Sequence, residues 1–349
     1  MNRLNPAERT AFIIIMAGLL LSVVIPMMFY LTSAFTSDAE NMEFPRRLFP
    51  KFTVTVQVEY DAGRDAFEIF YDSGRGYGFE SVLTSNNPSR LRSLFSQQYS
   101  VTKSGEELLK DFEITKTEGR RTFTYRKDMF YNIRTFFSIA PRARAGLINS
   151  LIAAGLTILI SLSIGSLAGY AMARYTFLFK DQVSVLLLIV RMFPTVGISI
   201  PMAVMLIRMG MFDTLWGLAI LYSIPNIALT AWVTGSIFSG IGRELEEASL
   251  VFGATGAKTF LNITLPMALP ALAASSMYAF LAAWNDTIGA LILTRQNQTL
   301  ALVVYKVIGT NSAGIQYAAA GSLVLILPAL VFTFIIRRYV GQMWGGVNI

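Results

Sequence analysis

The chain has 349 residues, of which 54% are hydrophobic and only 15% are charged, and its formal net charge is +7. Soluble domains usually carry about 25% charged residues, so much of this chain is suited to a membrane. It has no cysteine and no histidine, which excludes disulfides, thiol catalysis, Ser-His-Asp triads and histidine or thiolate metal sites within this chain alone. We expect no metal and no cofactor bound by the chain itself, and no nucleic acid, because no basic helix gathers the positive charge.

The charged residues concentrate in one segment. Residues 36–145 hold 17 Lys/Arg and 15 Asp/Glu, which is well over half of all the charges in the chain. The sequence thus divides into a membrane-like part and a water-like part. We expect an N-terminus and first transmembrane helix over 1–35, a water-exposed insert over 36–145, a five-helix core over 146–340 and a tail over 341–349.

Six stretches are long and apolar enough to cross a bilayer, whose core takes about 20 residues of α-helix. The first is too long for a cleaved signal peptide, and no small-residue cleavage site follows it. The predicted fold is an all-α polytopic membrane protein with six transmembrane helices and an inserted α+β module. The six stretches cover residues 11–35, 146–173, 183–207, 216–238, 267–293 and 317–336.

Charges in the short loops predict the orientation, because Lys and Arg collect on the cytoplasmic side of a membrane. With a cytoplasmic N-terminus, the inside loops hold more of these residues than the short outside loops do. We therefore expect a multi-pass protein with both termini in the cytoplasm and the insert on the outside. The inside set is Arg3, Arg9, Arg174, Lys180, Arg243, Lys258, Arg337 and Arg338, and the outside set is Arg208, Arg295 and Lys306.

The insert between the first two transmembrane stretches is predicted to be a small α+β module. Residues 52–60 and 66–72 alternate around the turn DAGRD, which is typical of a β-hairpin. Residues 120–128 are a further candidate strand. Ser104 and Glu107 stand three positions apart at the start of a helical pattern and predict a capping box.

Small residues and prolines mark where the predicted helices pack closely or break. Gly165 and Gly169 form a small-xxx-small pair, which lets two helices approach closely. Broken helices are tolerated at membrane depth only beside protein or a water-filled cavity. Prolines are expected to interrupt the third and fifth stretches at Pro194, Pro201, Pro266 and Pro270.

Two charged residues, Arg191 and Asp286, fall within predicted spans, where a charge is costly and usually faces a cavity or a partner. Asp286 follows Trp284 and Asn285 in the segment AAWNDTIGA. One interpretation is the wall of a translocation pathway with an aromatic platform, to which Tyr278 would contribute. A second is a structural contact, such as an Arg191–Asp286 pair that locks the helices together. A third places either charge nearer to the membrane interface.

The polar stretch EEASLVFGATGAKTFLNITLP, residues 246–266, separates two apolar stretches. It contains GATGAKT, but a phosphate loop needs Gly, four residues and then Gly-Lys-Ser/Thr after a strand. Here an alanine separates the glycine from the lysine and the first gap is too short, so we expect no nucleotide to bind. The stretch instead predicts two short helices around Gly253, the second of which ends at Leu265-Pro266.

The same stretch resembles the cytoplasmic loop of the permeases of binding-protein-dependent ABC importers. That loop has the form Glu-Ala-Ala, three residues, Gly, nine residues, Ile, one residue and Leu-Pro. This sequence matches the spacing throughout and departs from the pattern at one position, where serine replaces the second alanine. The matching residues are Glu247, Ala248, Ser249, Gly253, Ile263, Leu265 and Pro266.

In that family the loop, here residues 243–266, forms a coupling helix that enters a cleft of a separate ATPase subunit. The resemblance implies that Glu247 anchors this contact, that Ala248 and Ser249 lie close to the partner, and that Gly253 forms the turn. It also implies a second permease subunit, two ATPase subunits that hold ATP and Mg²⁺, and an extracytoplasmic solute-binding protein. The chain would then be a transport subunit without enzyme activity, surrounded by lipid in the plasma (inner) membrane of a prokaryote.

Other stretches resemble the maltose-type, carbohydrate branch of the family. Residues 147–177 are similar to its second span, and residues 279–294 to its Trp-Asn-Glu/Asp segment. The end of the chain is similar to its glycine-rich tail, although the usual final Lys-Gly is missing. The resemblance covers about 1–38 and 130–349 and leaves out most of the insert. It implies import of a sugar such as maltose, trehalose, another oligosaccharide or a related polyol.

Two other classes of protein remain open from the sequence. A membrane sensor or receptor could bind a ligand through the insert, although one or two spans would be enough to anchor it and no signalling domain follows. An ion-coupled secondary transporter would be expected to show more intramembrane carboxylates and an internal repeat.

Overall fold

The computed structural model describes residues 6–43, 47–72, 79–85, 87–309 and 314–344. Arg3, which contributes to the predicted orientation, and the last five residues of the predicted tail lie outside these ranges.

The chain divides into two compact units. The first comprises Met1–Ala140 and Val307–Val324, and the second comprises Pro141–Lys306 and Leu325–Ile349. The first unit therefore contains nearly all of the predicted insert, and the second contains most of the predicted helical core.

Within the described residues, four single helices are long and apolar enough to cross a membrane. Each coincides with one of the six stretches that the sequence predicts as spans. Two bent helix pairs raise the number of candidate spans to as many as six. The four single helices are α1 (Pro6–Thr32), α7 (Ala143–Arg174), α10 (Leu215–Gly240) and α17 (Ile315–Trp344). A shorter helix, α16 (Leu300–Ile308), precedes α17.

The third predicted stretch forms two helices, α8 (Lys180–Met192) and α9 (Thr195–Arg208), whose directions differ by 93°. The break falls at Pro194, as predicted, and Phe193 before it has extended backbone with ψ 128° because proline disfavours the helical conformation of the preceding residue. Pro201 lies inside α9. The prediction that Pro201 breaks the helix is therefore wrong, since neighbouring groups can satisfy the backbone group that one proline leaves unpaired.

The fifth predicted stretch is also divided, into α14 (Leu269–Asn285) and α15 (Ile288–Leu293). The chain leaves the helical conformation at Asp286, which has φ −71° and ψ 129°. Its Oδ2 accepts a hydrogen bond from the N–H of Ala290 at 3.2 Å. An aspartate that accepts such a bond stabilises the start of a new helix. The sequence predicts interruptions only at the start of this stretch, at Pro266 and Pro270, and does not predict the break at Asp286.

In the part of the chain that the structure describes, the insert contains a four-stranded antiparallel sheet with the order β3-β2-β1-β4. The predicted hairpin is confirmed, since β1 pairs with β2 and places Val58 opposite Ile69. The candidate strand over 120–128 is confirmed as the edge strand that pairs with β1. The strands are β1 (Thr53–Asp61), β2 (Ala66–Asp72), β3 (Phe79–Ser85) and β4 (Arg120–Arg126).

Helices cover one face of this sheet. The side chains of Val54, Val56 and Val58 are buried on that face, because alternate residues of a strand point the same way. The predicted capping box is confirmed, since the hydroxyl of Ser104 accepts from the N–H of Glu107 at 3.2 Å and the N–H of Ser104 donates to the Glu107 carboxylate at 3.4 Å. The helices of the insert are α2 (Asp38–Met42), α3 (Pro88–Tyr99), α4 (Gly105–Glu113), α5 (Thr115–Glu118) and α6 (Tyr131–Ile139).

A buried ion pair joins the two ends of the insert. Lys127, just after β4, donates from Nζ to Oε2 of Glu40 in α2 at 2.6 Å, and both side chains are almost inaccessible. The other carboxylate oxygen of Glu40 accepts a hydrogen bond from the N–H of Lys51 at 3.0 Å. Burial lowers the pKa of Lys127, although Glu40 beside it favours the charged form.

The second unit, which we call the helical unit, is built on the close packing of α7 against α10. A Cβ placed on Gly169 would lie 2.7 Å from the carbonyl oxygen of Ala231 and 2.8 Å from the nitrogen of Gly235. A Cβ on Gly165 would lie 2.6 Å from Cβ of Thr230. These distances leave no room for a side chain, so the predicted close packing at the glycine pair is confirmed.

Candidate functional site

The 243–266 loop begins with α11 (Arg243–Val251), the first of the two predicted short helices. Glu244 and Glu246 lie in its first turn, where the helix dipole favours carboxylates. The helix ends in a tight turn in which Gly253 has φ +86°, a left-handed conformation that glycine adopts without strain. A helix thus precedes GATGAKT, whereas a phosphate loop follows a strand.

The second limb of the loop is helical but irregular. Thr255 caps α12 (Gly256–Thr259) with its side-chain oxygen. A π-helical turn, Phe260–Thr264, follows, and then α13 (Leu265–Met267). The predicted end of the helix at Leu265-Pro266 is therefore wrong, because Pro266 lies in the first turn of α13, where proline is tolerated. The chain instead bends by 76° between α13 and α14.

The turn between the two limbs carries an exposed apolar tip, which we define as Leu250, Val251 and Phe252. Val251 is 85% exposed and Phe252 is 91% exposed. Single exposed apolar residues are common on proteins, whereas contiguous groups of large ones occur where a protein contacts a partner or a membrane.

The base of the loop is held by Glu246, which is the one buried residue of α11, a helix that the structure describes in full. Its carboxylate accepts hydrogen bonds from Nε and Nη2 of Arg174 at 3.0 and 2.8 Å. It also accepts from the hydroxyl of Tyr170 at 3.0 Å and from Oγ1 of Thr264 at 2.9 Å. Arg174 and Tyr170 belong to α7, and Thr264 belongs to the second limb of the loop.

Arg174 also contacts the end of α10. Its Nη1 donates to the carbonyl of Phe238 at 2.7 Å, and its Nη2 donates to the carbonyl of Ile241 at 3.2 Å. The last carbonyls of a helix have no partner within it and carry the negative end of its dipole, so a cation there is stabilising. Beneath the guanidinium, the ring of Tyr170 packs against Phe238 and Phe260 at centroid distances of 5.7 and 4.8 Å.

Glu246 is held in its ionised form by these contacts. Burial alone raises the pKa of a carboxyl group, but hydrogen bonds from Arg174, Thr264 and Tyr170, together with the charge of Arg174, outweigh it and lower the pKa of Glu246 below its ordinary value. The stability that the ionised carboxylate contributes is complete above the ordinary glutamate pKa. It is lost as the pH falls through the lowered pKa.

The predicted coupling residues lie in different surroundings. Ser249 is half-buried, and its Oγ lies 3.0 Å from Oγ1 of Thr259, so it joins the two limbs of the loop. Gly253 forms the turn. Of the others, Glu247, Ala248 and Pro266 are exposed, and Ile263 and Leu265 are half-buried.

Sequence reasoning missed Glu246, Arg174, Tyr170 and Thr264, whose contacts hold the loop against the long helices. The role predicted for Glu247 is a different one, anchoring the contact with an ATPase subunit; its side chain is exposed, and that role stays a prediction. One signal was available, because Arg174 at the end of an apolar stretch and the glutamates of the loop are predicted on the same side of the membrane. Which glutamate of the loop pairs with Arg174 depends on how α11 lies against α7, and the sequence alone does not specify this.

The residues predicted to line a pathway fall into separate groups. Arg191 lies over the ring of Tyr278 at 5.7 Å from its centroid, and both side chains are exposed. Asp286 accepts a hydrogen bond from the hydroxyl of Tyr222 at 3.0 Å. No salt bridge joins it to Arg191 among the described residues, so the pair that would lock the helices together is not formed.

Trp284 and Asn285 are adjacent but differ in exposure. Trp284 is fully buried; its Nε1 donates to the carbonyl of Leu325 at 3.0 Å, and its ring stacks on Phe280 at 5.2 Å. The ring therefore packs within the helical unit instead of facing open solvent as an aromatic platform. Asn285 is exposed.

Metal ligands are not clustered in the described part of the chain. Among those residues, no group of three aspartates or glutamates is arranged so that it could hold a metal ion.

Similarity to known proteins covers the helical unit. The family described as the binding-protein-dependent transport system inner membrane component matches residues 143–344, so the match begins at α7 and does not include the first predicted span. The maltodextrin transport system permease protein MalD of Streptococcus pneumoniae is 30% identical over 57% of this chain and 72% of its own length. The trehalose transport system permease protein SugB of Mycobacterium tuberculosis is 31% identical over 56% of this chain and 72% of its own length.

The fold as a whole is similar to a chain from a bacterial ABC transporter involved in the import of the acidic polysaccharide alginate, with a TM-score of 0.61 and 13% sequence identity. The similarity covers 96% of this chain and 98% of that chain, and at this identity it concerns the fold alone. The family match, by contrast, extends over more than half of the chain and includes α7, the 243–266 loop and α17. The chain therefore belongs to the family of binding-protein-dependent transport system inner membrane components.

Proposed function

We propose that the chain is a membrane-spanning permease subunit of an ATP-driven importer whose substrate is a sugar, such as a maltodextrin, trehalose, another oligosaccharide or a related polyol. The observation that carries the proposal is the exposed apolar tip of the 243–266 loop, within a segment that matches the family pattern. A carbohydrate substrate is supported by the two relatives, whose names specify maltodextrin and trehalose.

In this proposal the chain catalyses no reaction itself. Two separate ATPase subunits hold ATP and Mg²⁺, and one of them receives the tip in an apolar cleft. Burial of side chains such as Val251 and Phe252 contributes about 1.5–3 kcal/mol each to this contact. The exposed carboxylate of Glu247 lies beside the tip in sequence and supplies a polar contact to the same partner. Closure of the ATPase subunits then moves the loop and switches the pathway between outward and inward access.

The proposed topology has six spans, formed by the four single helices, by the bent pair of α8 and α9, and by α14. Both termini and the 243–266 loop lie in the cytoplasm, and the insert lies outside, where a solute-binding protein delivers the substrate. A second permease subunit completes the pathway. This is supported by α8, in which no residue is buried, and by the exposed side chains of Arg191, Tyr278 and Asn285, which are available to face that subunit or the substrate.

Copurification and transport assays test the proposal. The wild-type chain, expressed with its genomic neighbours, should bring down an ATPase subunit and support ATP-dependent sugar uptake in proteoliposomes. Phe252→Ser should lose the ATPase subunit while the permease keeps its unfolding temperature, because the side chain makes few contacts within the chain. Leu178→Ser is a matched control, since Leu178 is a 79% exposed apolar residue outside the loop, and it should behave as the wild type does.

Three results would contradict the proposal. Uptake that continues without ATP and follows an ion gradient would show an ion-coupled secondary transporter. Normal ATPase capture and uptake by the Phe252→Ser variant would show that the tip is not the contact. Binding of a solute by the insert without any uptake would indicate a sensor or receptor.

A further inference from the structure

The one buried residue of the nine-residue helix α11 is a glutamate, Glu246, which is unusual for a short helix. A short helix is normally held by the apolar side chains that it buries, but the apolar residues of α11 include Leu250 and Val251, which are exposed. The helix is held instead by polar contacts: the buried Glu246 carboxylate, a hydrogen bond from Nη2 of Arg243 to the carbonyl of Arg174 at 3.3 Å, and the Ser249–Thr259 contact. The contacts that Glu246 makes with the helical unit are therefore hydrogen bonds, whose strength depends on direction as well as on distance.

The carboxylate of Glu246 is fully occupied by side chains from two other elements. A carboxylate has about four lone-pair positions, and here they accept from Arg174 Nε and Nη2, from the hydroxyl of Tyr170 and from Oγ1 of Thr264. The first two partners belong to α7, and the last belongs to the second limb of the 243–266 loop. Both limbs of the loop and α7 thus converge on one group.

Arg174 extends this connection to α10. The guanidinium is a rigid planar fork, and while it binds Glu246 it also donates to the carbonyls of Phe238 and Ile241 at 2.7 and 3.2 Å. It lies at the junction of three helices, since it ends α7, caps α10 and holds α11. A displacement of α11 cannot leave the ends of α7 and α10 in place without breaking charge-assisted hydrogen bonds, which are the strong ones.

We infer that Glu246 is the positioning residue of the 243–266 loop, and that its pairing with Arg174 makes the loop move together with the ends of α7 and α10. The inference rests on the proposed function, because it concerns how a movement at the tip reaches the membrane helices. It assigns separate roles to two neighbouring glutamates: Glu247 contacts the partner, and Glu246 transmits the movement. Without the pair, the tip still docks, but its movement is absorbed within the loop.

Transport stoichiometry in the reconstituted complex tests the inference. Glu246→Gln keeps the size of the side chain but removes its charge and turns an N–H₂ group toward the guanidinium of Arg174. We expect the ATPase subunits to bind and hydrolyse ATP while the sugar imported per ATP falls roughly tenfold, the scale of a lost hydrogen bond to a charged group. Glu244→Gln is the matched control, because the same change is made to an exposed carboxylate on the same helix, and it should leave the stoichiometry unchanged.

A distance measurement tests the same pairing without any partner subunit. The chain contains no cysteine, so Tyr175→Cys and Ala257→Cys give two unique spin-label positions, one at the end of α7 and one in the loop, and both residues are exposed. Electron–electron resonance should give a narrow distance distribution in the otherwise wild-type chain and a broad one after Glu246→Gln. An unchanged distribution together with unchanged stoichiometry would overturn the inference.

The outcomes separate the inference from the proposed function. Failure of the wild-type chain to bind any ATPase subunit would overturn the proposed function, whereas the distance distribution would still report whether Glu246 fixes the loop. If Glu246→Gln does not fold, Thr264→Val serves as a second variant. It replaces threonine by a side chain of the same shape and removes only the hydrogen bond from Oγ1 to the Glu246 carboxylate. We expect this variant to broaden the distribution and to lower the stoichiometry several-fold. Wild-type values for both measurements would contradict the inference.

Discussion

Replacement of Gly169 by alanine is expected to destabilise the helical unit, although alanine is the better helix former. In a helix interior the change from glycine to alanine is favourable by about 0.8–1.0 kcal/mol. The new Cβ, however, would overlap Oγ1 of Thr234 and would lie 2.7 Å from the carbonyl oxygen of Ala231 and 2.8 Å from the nitrogen of Gly235. Two of these atoms belong to the backbone of α10 and cannot rotate away. Overpacking of this kind costs about 1–3 kcal/mol.

Gly155 provides the matched control for this prediction. It lies on the same helix, α7, and a Cβ placed on it would have no neighbour within 4 Å. The intrinsic gain in helix propensity is common to both variants, so the difference between Gly169→Ala and Gly155→Ala isolates the steric term. For a unit of this size, about 1–3 kcal/mol corresponds to roughly 2–12 °C in the unfolding temperature. Thermal unfolding of both purified variants in the same detergent measures this difference.

Two results would refute the reasoning. Equal unfolding temperatures for Gly169→Ala and Gly155→Ala would show that α7 and α10 do not approach each other at Gly169. Full recovery of Gly169→Ala by a second change, Thr234→Ala, would show that the conflict involves only the threonine side chain. We expect the double variant to remain destabilised, because the backbone atoms of Ala231 and Gly235 stay where they are.

Three further predictions follow from single residues. Gly253→Ala should destabilise the turn of the 243–266 loop by about 1–2 kcal/mol, because Gly253 has φ +86°. Gly256→Ala is the control and should not destabilise it, since a Cβ at either position would have no neighbour within 4 Å. Equal hydrogen exchange in the loop of the two variants would contradict this prediction. Asp213 accepts hydrogen bonds from the N–H groups of residues 295–297 at 2.9–3.1 Å; although burial raises its pKa, these bonds outweigh burial and lower it. The stability that ionised Asp213 contributes is therefore present above the ordinary aspartate pKa and is lost as the pH falls through the lowered pKa. Acid should increase hydrogen exchange at residues 295–297 in the wild type but not in Asp213→Asn. Identical pH profiles of exchange in the two proteins would count against this prediction. Trp284→Ala should lower the free energy of unfolding by about 3–5 kcal/mol, because the ring is fully buried, and Trp284→Phe should lower it less. Denaturant unfolding compares the two variants, and equal losses of stability would contradict the packing described.

Local patterns in the sequence predicted much of the fold. The hairpin of β1 and β2 and the capping box at Ser104 were predicted correctly because each depends on residues a few positions apart. The division of 267–293 into two helices was not predicted, since it depends on the hydrogen bonds that Asp286 makes with Tyr222 and Ala290. Tyr222 is far away in the sequence, and a pattern search along the chain does not connect the two.

The site was predicted at the level of the segment but not of the individual residue. The spacing from Glu247 to Pro266 identified the loop, and Gly253 forms its turn as expected. Glu246 was missed because successive residues of an α-helix point about 100° apart. In a helix with adjacent glutamates, a shift of one position decides which carboxylate faces Arg174 and which faces solvent. That choice is made by the packing of α11 against α7, which the sequence does not specify.

The ion pair between Glu40 and Lys127 also constrains when the insert can finish folding during synthesis of the chain. The two residues are 87 positions apart, and chains are synthesised at about 5–20 residues per second, so Glu40 is added to the chain roughly 4–17 s before Lys127. During that interval the carboxylate has no ammonium partner and stays hydrated, because burying it alone would be costly. The hairpin of β1 and β2 can form early, but the closed insert has to wait for β4 and the lysine that follows it. A ribosome that stalls between β2 and Lys127 would therefore hold a nascent chain whose insert is still open and accessible to proteases.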